Sequence, residues 1–172
     1  MGQFVLSKST VSEIAESLTE EYEAFRTRDL SQEPVAYLFI DTVDEPLRRW
    51  GQKTGGLGGW AICEEGRKVL LSLSPTNSES YESCLEVLRD LVKRGMRPPV
   101  TITTDGALGV TKAIDTMGPQ SLRLRCWFHQ MQNLQQQVPE QAWPTFKALG
   151  MDMRAAPSRQ KAQERREQIV AL

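Results

Sequence analysis

The chain has 172 residues, a formal net charge of −1, 25% charged and 40% hydrophobic side chains, the proportions of a soluble globular domain with appendages. No apolar run is as long as a membrane span, no signal peptide opens the chain, and three widely spaced cysteines argue against a disulfide framework and for a reducing, cytoplasmic setting. Without a global positive charge, any contact with nucleic acid has to come from local basic patches.

The first element is a helix. Thr10-Val11-Ser12-Glu13 has the form of a capping box, and Val11, Ile14, Leu18, Tyr22 and Phe25 recur at helical spacing to about Arg26. The residues from Leu6 to Ser12 also suit the end of a helix-turn-helix; a helix packed on the following domain is the alternative. A polar link, Asp29 to Pro34, enters the run Val35-Ala36-Tyr37-Leu38-Phe39-Ile40-Asp41. Six apolar residues closed by one carboxylate predict a strand covered on both faces, with its acid at the mouth of a sheet. The glycines between Gly51 and Gly59 lack the Gly-Lys-Ser/Thr of a phosphate loop and precede a strand, so they read as a flexible hairpin connection. Trp60 to Cys63 and Val69 to Leu73 are the next two strands.

Pro75-Thr76-Asn77-Ser78 supplies capping residues, and Tyr81, Cys84, Leu85, Leu88, Leu91 and Val92 mark one helix face closed by Gly95. Val100-Thr101-Ile102-Thr103-Thr104-Asp105-Gly106 is a second β-branched run ending in an acid. Val110, Ala113, Ile114 and Met117 make a short helix, Ser121 to Cys126 alternates as a half-exposed strand, and Trp127-Phe128-His129 leads into a glutamine-rich helix stopped by Pro139. From Glu140 to Leu172 there is no strand signal, and Ala162 to Leu172 is a charged helix.

This order predicts an α/β fold: a mixed sheet of three antiparallel and two parallel strands flanked by helices, with an N-terminal helix and a C-terminal helical extension. It matches the ribonuclease-H-like layout, in which the first strand is central and the fourth lies beside it. Adjacent strands are about 4.8 Å apart, so Asp41 and Asp105, 64 positions apart in the chain, become neighbours. Two strands each delivering one acid are a means of fixing a divalent metal for phosphoryl chemistry. For either Asp alone, making a turn or capping a helix is the competing role.

Several stretches together resemble the Mutator-like bacterial insertion-sequence transposases, of the DDE class with a ribonuclease-H-like catalytic domain. They are Tyr37 to Asp41, Ser78-Glu79-Ser80 before Leu85 to Leu91, Thr104-Asp105-Gly106, and Arg125-Cys126-Trp127-Phe128-His129 with Asn133. The likeness extends from about Ser9 to the C-terminus. It implies that Asp41 and Asp105 are the first two acids of a catalytic triad binding Mg2+ or Mn2+, and that the family's chemistry is DNA strand cleavage and transfer. The family's third acid, a Glu on a helix beyond a helical insertion, has no counterpart here; Glu140, Glu164 and Glu167 fall on the approach to that insertion or within it. Asp44 and Glu45 also depart from the family, where aromatic or aliphatic residues are usual; supplementary metal ligands, decay of a non-functional copy and plain surface carboxylates are the alternatives.

His129, the sole histidine, follows Cys126 by three residues. A half zinc site, a satisfied core histidine, and a histidine at a helix N-terminus facing the cleft are the alternatives, and the resemblance implies the last, in a catalytic role on phosphate. Arg49, Lys53 and Arg125 are the candidate contacts to the DNA backbone. The implied organisation is residues 1–30 as the end of a DNA-binding region, 31–138 as a partial catalytic core and 139–172 as the start of the insertion. The expected partners are transposon-end and target DNA and further copies of the full-length protein, in the bacterial cytoplasm at the nucleoid and away from membranes. A non-catalytic remnant that modulates a full-length transposase, and a ribonuclease-H-like nuclease, are the rival functions.

Overall fold

The computed structural model describes residues 7–46, 53–76 and 80–172, with the side chains of 42–46, 53–55 and 76 outside the description. The elements run α1 (Lys8–Thr27), β1 (Val35–Pro46), β2 (Lys53–Cys63), β3 (Lys68–Thr76), α2 (Tyr81–Lys93), β4 (Thr101–Thr104), α3 (Leu108–Met117), β5 (Leu122–Arg125), α4 (Trp127–Gln135), α5 (Trp143–Arg154) and α6 (Arg159–Val170). Two compact units form, Met1–Leu124 and Arg125–Leu172. No helix among the described residues is long and apolar enough to cross a membrane.

The first unit is built on a mixed sheet of order β3-β2-β1-β4-β5. Here β1 pairs antiparallel with β2 and parallel with β4, and β2 pairs antiparallel with β3. The first strand is central and the fourth lies beside it, as the element order predicts. Side chains alternate across a strand, and β1 sorts its residues accordingly. Leu38 and Ile40 are buried with Ala61 and Leu57 of β2, Leu71 of β3 and Ile102 of β4. They meet Cys84, Leu85, Leu88 and Leu91 of α2 and Val110, Ala113 and Ile114 of α3. Removing a Leu-sized side chain from water contributes about 1.5–3 kcal/mol, so this one layer dominates the unit's stability. A Cβ at Gly59 would come within 3.4 Å of the Ser72 Cβ and 4.0 Å of Leu91 Cδ1; the bare backbone there lets α2 lie close on the sheet.

Several local expectations are corrected. The opening helix starts at Lys8, because Ser7 Oγ accepts the Thr10 N–H at 3.1 Å and caps the end three residues before the Thr10 capping box. Leu6 lies outside the described residues, and from Lys8 to Thr27 the helix is continuous, with no turn at Ser9 to Ser12. It packs on the unit only toward its C-terminal end, where Tyr22 Oη donates to the Leu73 carbonyl at 2.9 Å; Val11, Ile14 and Leu18 are exposed. The glycines are not a hairpin connection: Gly55, Gly56, Gly58 and Gly59 lie within β2, paired residue by residue with β1. Backbone hydrogen bonds to β1 and β3 hold a strand that its own side chains could not specify. The cap of α2 is Ser80, whose Oγ accepts the Ser83 N–H at 3.1 Å, while Pro75 and Thr76 belong to β3 and residues 77–79 lie outside the description. Strand β5 forms, yet all four of its residues are exposed, so its alternation marks an edge rather than a half-buried strand.

At the β3 edge, Arg94 Nη2 donates to the Leu71 carbonyl at 2.8 Å and Arg28 donates to the Leu70 carbonyl. Together with Tyr22 these side chains occupy main-chain acceptors that another strand would otherwise pair with. Arg94 is itself buried and fixed by Asp90 Oδ2 at 2.8 Å.

The second unit is helical. Gly150 of α5 is buried, and a Cβ there would come 3.3 Å from Met131 Cε and 3.6 Å from Trp127 Cζ2, so α5 and α4 approach closely at that point. Trp143 stacks on Phe146 at 5.7 Å, and Ser158 caps α6 through the Lys161 N–H. The helix over Trp143–Arg154 is not among the elements expected from sequence. Its signal was Pro144 in the first turn, where its missing N–H costs nothing, with Trp143, Phe146 and Leu149 three residues apart.

Candidate functional site

The register of β1 against β4 bears on where the two acids fall. The parallel ladder pairs Tyr37 with Thr101, Leu38 with Ile102 and Phe39 with Thr103, an offset of 64 positions in every pair. Continued two residues further, the same offset falls on Asp41 and Asp105. Side chains alternate along a strand, so Asp41 follows Phe39 on β1, while Asp105 is the residue after the end of β4. Exposure agrees: Tyr37, Phe39 and Asp41 are exposed, whereas Leu38 and Ile40 between them are buried. Thr103, half-buried between buried Ile102 and Thr104, and half-buried Asp105 continue the pattern on the other strand.

One expectation changes here. Asp41 does not end its strand, since β1 and β2 continue as a long antiparallel pair to Pro46 opposite Lys53. It is the contact with β4 that stops near Asp41. The acid stands where the sheet narrows to that pair, and across β2 it faces Gly58. A Cβ at Gly58 would lie 3.7 Å from the Asp41 carbonyl oxygen and 4.0 Å from Trp60 Nε1. Gly58 carries no side chain of its own there, yet it is buried, with the Trp60 indole nitrogen close to it. Sequence reasoning misses this placement of the glycine run; the available signal was four glycines among residues whose alternation elsewhere is that of a strand.

Asp105 is fixed by its own turn. Its Oδ1 accepts the Ala107 N–H at 2.9 Å, and Thr104 Oγ1 accepts the Gly106 N–H at 3.1 Å. Gly106 has φ of 91°, a conformation that a side chain strains. Helix α3 begins at Leu108 without a side-chain cap, so its positive end favours negative charge close by. Asp105 therefore makes a turn, the competing role for a lone Asp.

The remaining candidates are dispersed. His129 is in the first turn of α4 in the second unit, half-buried, with its ring 5.5 Å from Phe128 in an edge-on arrangement. Cys126 is the residue before α4, and Cys63 and Cys84 are buried; all three are thiols rather than disulfides. Burial pushes the Cys63 thiol up from its usual range, only partly offset by Arg67. Arg125 ends β5 and is exposed. Lys53 opens β2 with its side chain outside the description, and Arg49 lies outside the described residues, as do the side chains of Asp44 and Glu45. Among the described residues no group of three or more His, Cys, Asp or Glu gathers that could hold a metal ion. A cleft of about 600 Å³ lined by Arg26, Thr27, Asp29, Asp90, Lys93, Arg94 and Gly95 contains neither acid of the pair.

The family described as Transposase, Mutator family, matches residues 1–171. The transposase for insertion sequence element IS6120 of Mycolicibacterium smegmatis is 35% identical over 158 residues, 92% of this chain and 49% of that protein. The transposase for insertion sequence element IS1081 of Mycobacterium tuberculosis is 34% identical over 151 residues, 87% of this chain and 36% of that protein. The chain thus spans about half the length of the first relative and about a third of the second. Among solved structures, the HTLV-2 integrase catalytic core domain aligns with a TM-score of 0.39 at 12% identity, covering 81% of this chain and 85% of that one.

Proposed function

The chain belongs to the Mutator family of transposases, and from that premise we propose that it carries the first two acids of a DNA strand-cleaving and strand-joining centre, Asp41 and Asp105. The observation that supports this most is the β1–β4 register, paired from Tyr37–Thr101 to Phe39–Thr103 at the same 64-position offset that separates the two acids. Residues 1–30 are then the end of a DNA-binding region, 31–138 a partial catalytic core and 139–172 the start of a helical insertion. The working place is the bacterial nucleoid, with transposon-end and target DNA as substrates and further copies of the full-length protein as partners.

The donor set fits a hard divalent ion, Mg2+ or Mn2+, since carboxylate oxygens supplemented by substrate phosphate and water complete its shell. When bound, such an ion offers Lewis-acid stabilisation of the attacking and leaving oxygens of a phosphodiester. The chain's own residues supply position. Asp41 offers its oxygens from β1 and Asp105 from the turn after β4, where the hydrogen bond from the Ala107 N–H limits rotation of its carboxylate. His129 hydrogen-bonds a phosphate oxygen, and Arg49, Lys53 and Arg125 hold the DNA backbone.

The test is a chimera in which this chain replaces the matched region of the IS6120 relative, assayed for transposition in cells. The expected outcome is activity that falls by roughly a thousandfold or more with Asp41→Asn or Asp105→Asn, with DNA binding retained. Unchanged transposition by either Asn variant contradicts the assignment.

A further inference from the structure

We propose that the outward face of α4 is a binding site for an unpaired nucleobase of DNA, with Phe128 as its stacking platform and Gln132 and Gln135 as its hydrogen-bonding groups. Helix α4 has two faces. Trp127 and Met131 lie against Gly150 of α5. Phe128, Gln132 and Gln135, spaced i, i+4 and i+7, fall together on another face, and all three are exposed. Phe128 is 62% exposed, the most open aromatic side chain among the described residues. The His129 ring meets it edge-on at 5.5 Å, a favourable aromatic contact that steadies it.

The chemistry of the face selects the ligand. From Cys126 to Pro139 the chain has no Asp, Glu, Lys or Arg, although 25% of all its side chains are charged. A helix face kept only for water is ordinarily charged; here amides and one ring take that place. Base edges are uncharged and need a donor beside an acceptor, which the Gln amide supplies. Its best match is adenine, where it meets N6 and N7. Base faces stack on aromatic rings of any sequence context. No carboxylate stands in this stretch to repel a phosphate, and Arg125 precedes it. A partner helix is a poorer fit, since it is read by apolar anchors at i, i+4 and i+7, and two of those three positions are Gln. Bases inside a duplex hide their faces, so the ligand is a base out of its stack, as at a nick, an end or a strand junction. This site rests on the proposed DNA function and deepens it, placing a base on Phe128 next to the residue that holds its phosphate, His129.

Fluorescence anisotropy with the whole chain tests it, using labelled hairpin DNAs that are alike except that one is fully paired and one carries a single bulged adenine. The bulged DNA is expected to bind about tenfold tighter, the size of one base–aromatic stack. Phe128→Ala and Phe128→Leu, the second keeping apolar bulk without a ring, are both expected to erase that preference and leave the paired hairpin bound as before. Phe128→Trp is expected to restore it. Gln132→Ala and Gln135→Ala are each expected to lower the preference for a bulged adenine over a bulged thymine severalfold. Equal binding of the paired and bulged hairpins by the parent, or a preference that survives in Phe128→Leu, overturns the base site and leaves the DNA function standing. Binding of neither hairpin overturns both. Self-association of the parent that Phe128→Leu abolishes, read by sedimentation, assigns the face to a second copy and also overturns the base site.

Discussion

The two faces of the β1–β2–β3 sheet, built from alternate residues of the same strands, have opposite fates. Leu38 and Ile40 are sealed by two helices, while Tyr37, Phe39 and Trp60 stand in solvent next to the carboxylate of Asp41. The difference shows that stability occupies alternate positions of one strand: the even residues of β1 hold the unit together, and under the proposed function the odd ones include the acid that carries its chemistry.

Substitution on the covered face is the harshest way to break this division. Leu38→Ala or Leu91→Ala, each removing a fully buried side chain, is expected to cost about 2–5 kcal/mol, measured by urea unfolding. Phe39→Ala, next in the chain to Leu38, is expected to cost well under half as much; equal costs would erase the distinction between the faces. Arg94→Met comes next. It leaves the buried Leu71 carbonyl without its side-chain donor, an expected loss of about 1–3 kcal/mol by the same assay. Gly106→Ala forces a side chain into φ of 91° beside Asp105, an expected cost of about 1 kcal/mol; its sharper effect is weakened divalent-ion binding with the sheet intact. The smallest effect concerns thiols. Cys63 and Cys84 are buried and Cys126 is half-buried, and the Cys63 thiol is raised by burial. Alkylation near neutral pH is therefore expected at Cys126 first. Because the folded state holds Cys63 above its unfolded value, its contribution to stability is present below the unfolded pKa and is lost as pH rises through the alkaline range.

Much of this was legible in the chain. A continuous apolar run ending in Asp41 and a β-branched run ending in Asp105 gave the two strands, and three strands followed by helix-linked strands gave the order of the sheet. The features the sequence concealed have physical causes. Glycines carry no side-chain pattern, so the strand through Gly55 to Gly59 was invisible until its backbone partners were known. The run from Val35 to Ile40 reads as covered on both faces because Tyr37 and Phe39 are as apolar as Leu38, and nothing local says which face a neighbour occupies. The start of α1 turned on one hydroxyl, that of Ser7, against an equally plausible cap at Thr10. Register is the property a sequence suggests without determining, since strand spacing and offset depend on partners 64 positions away.

The most direct measurement is calorimetric titration of Mn2+ into this chain and into Asp41→Asn, Asp105→Asn and, as a surface control paired with Arg123, Asp115→Asn. Saturable binding by the parent and Asp115→Asn, lost from both of the other variants, is the expected result. Equal binding by all four proteins would mean that the two acids share a face of the sheet without sharing an ion.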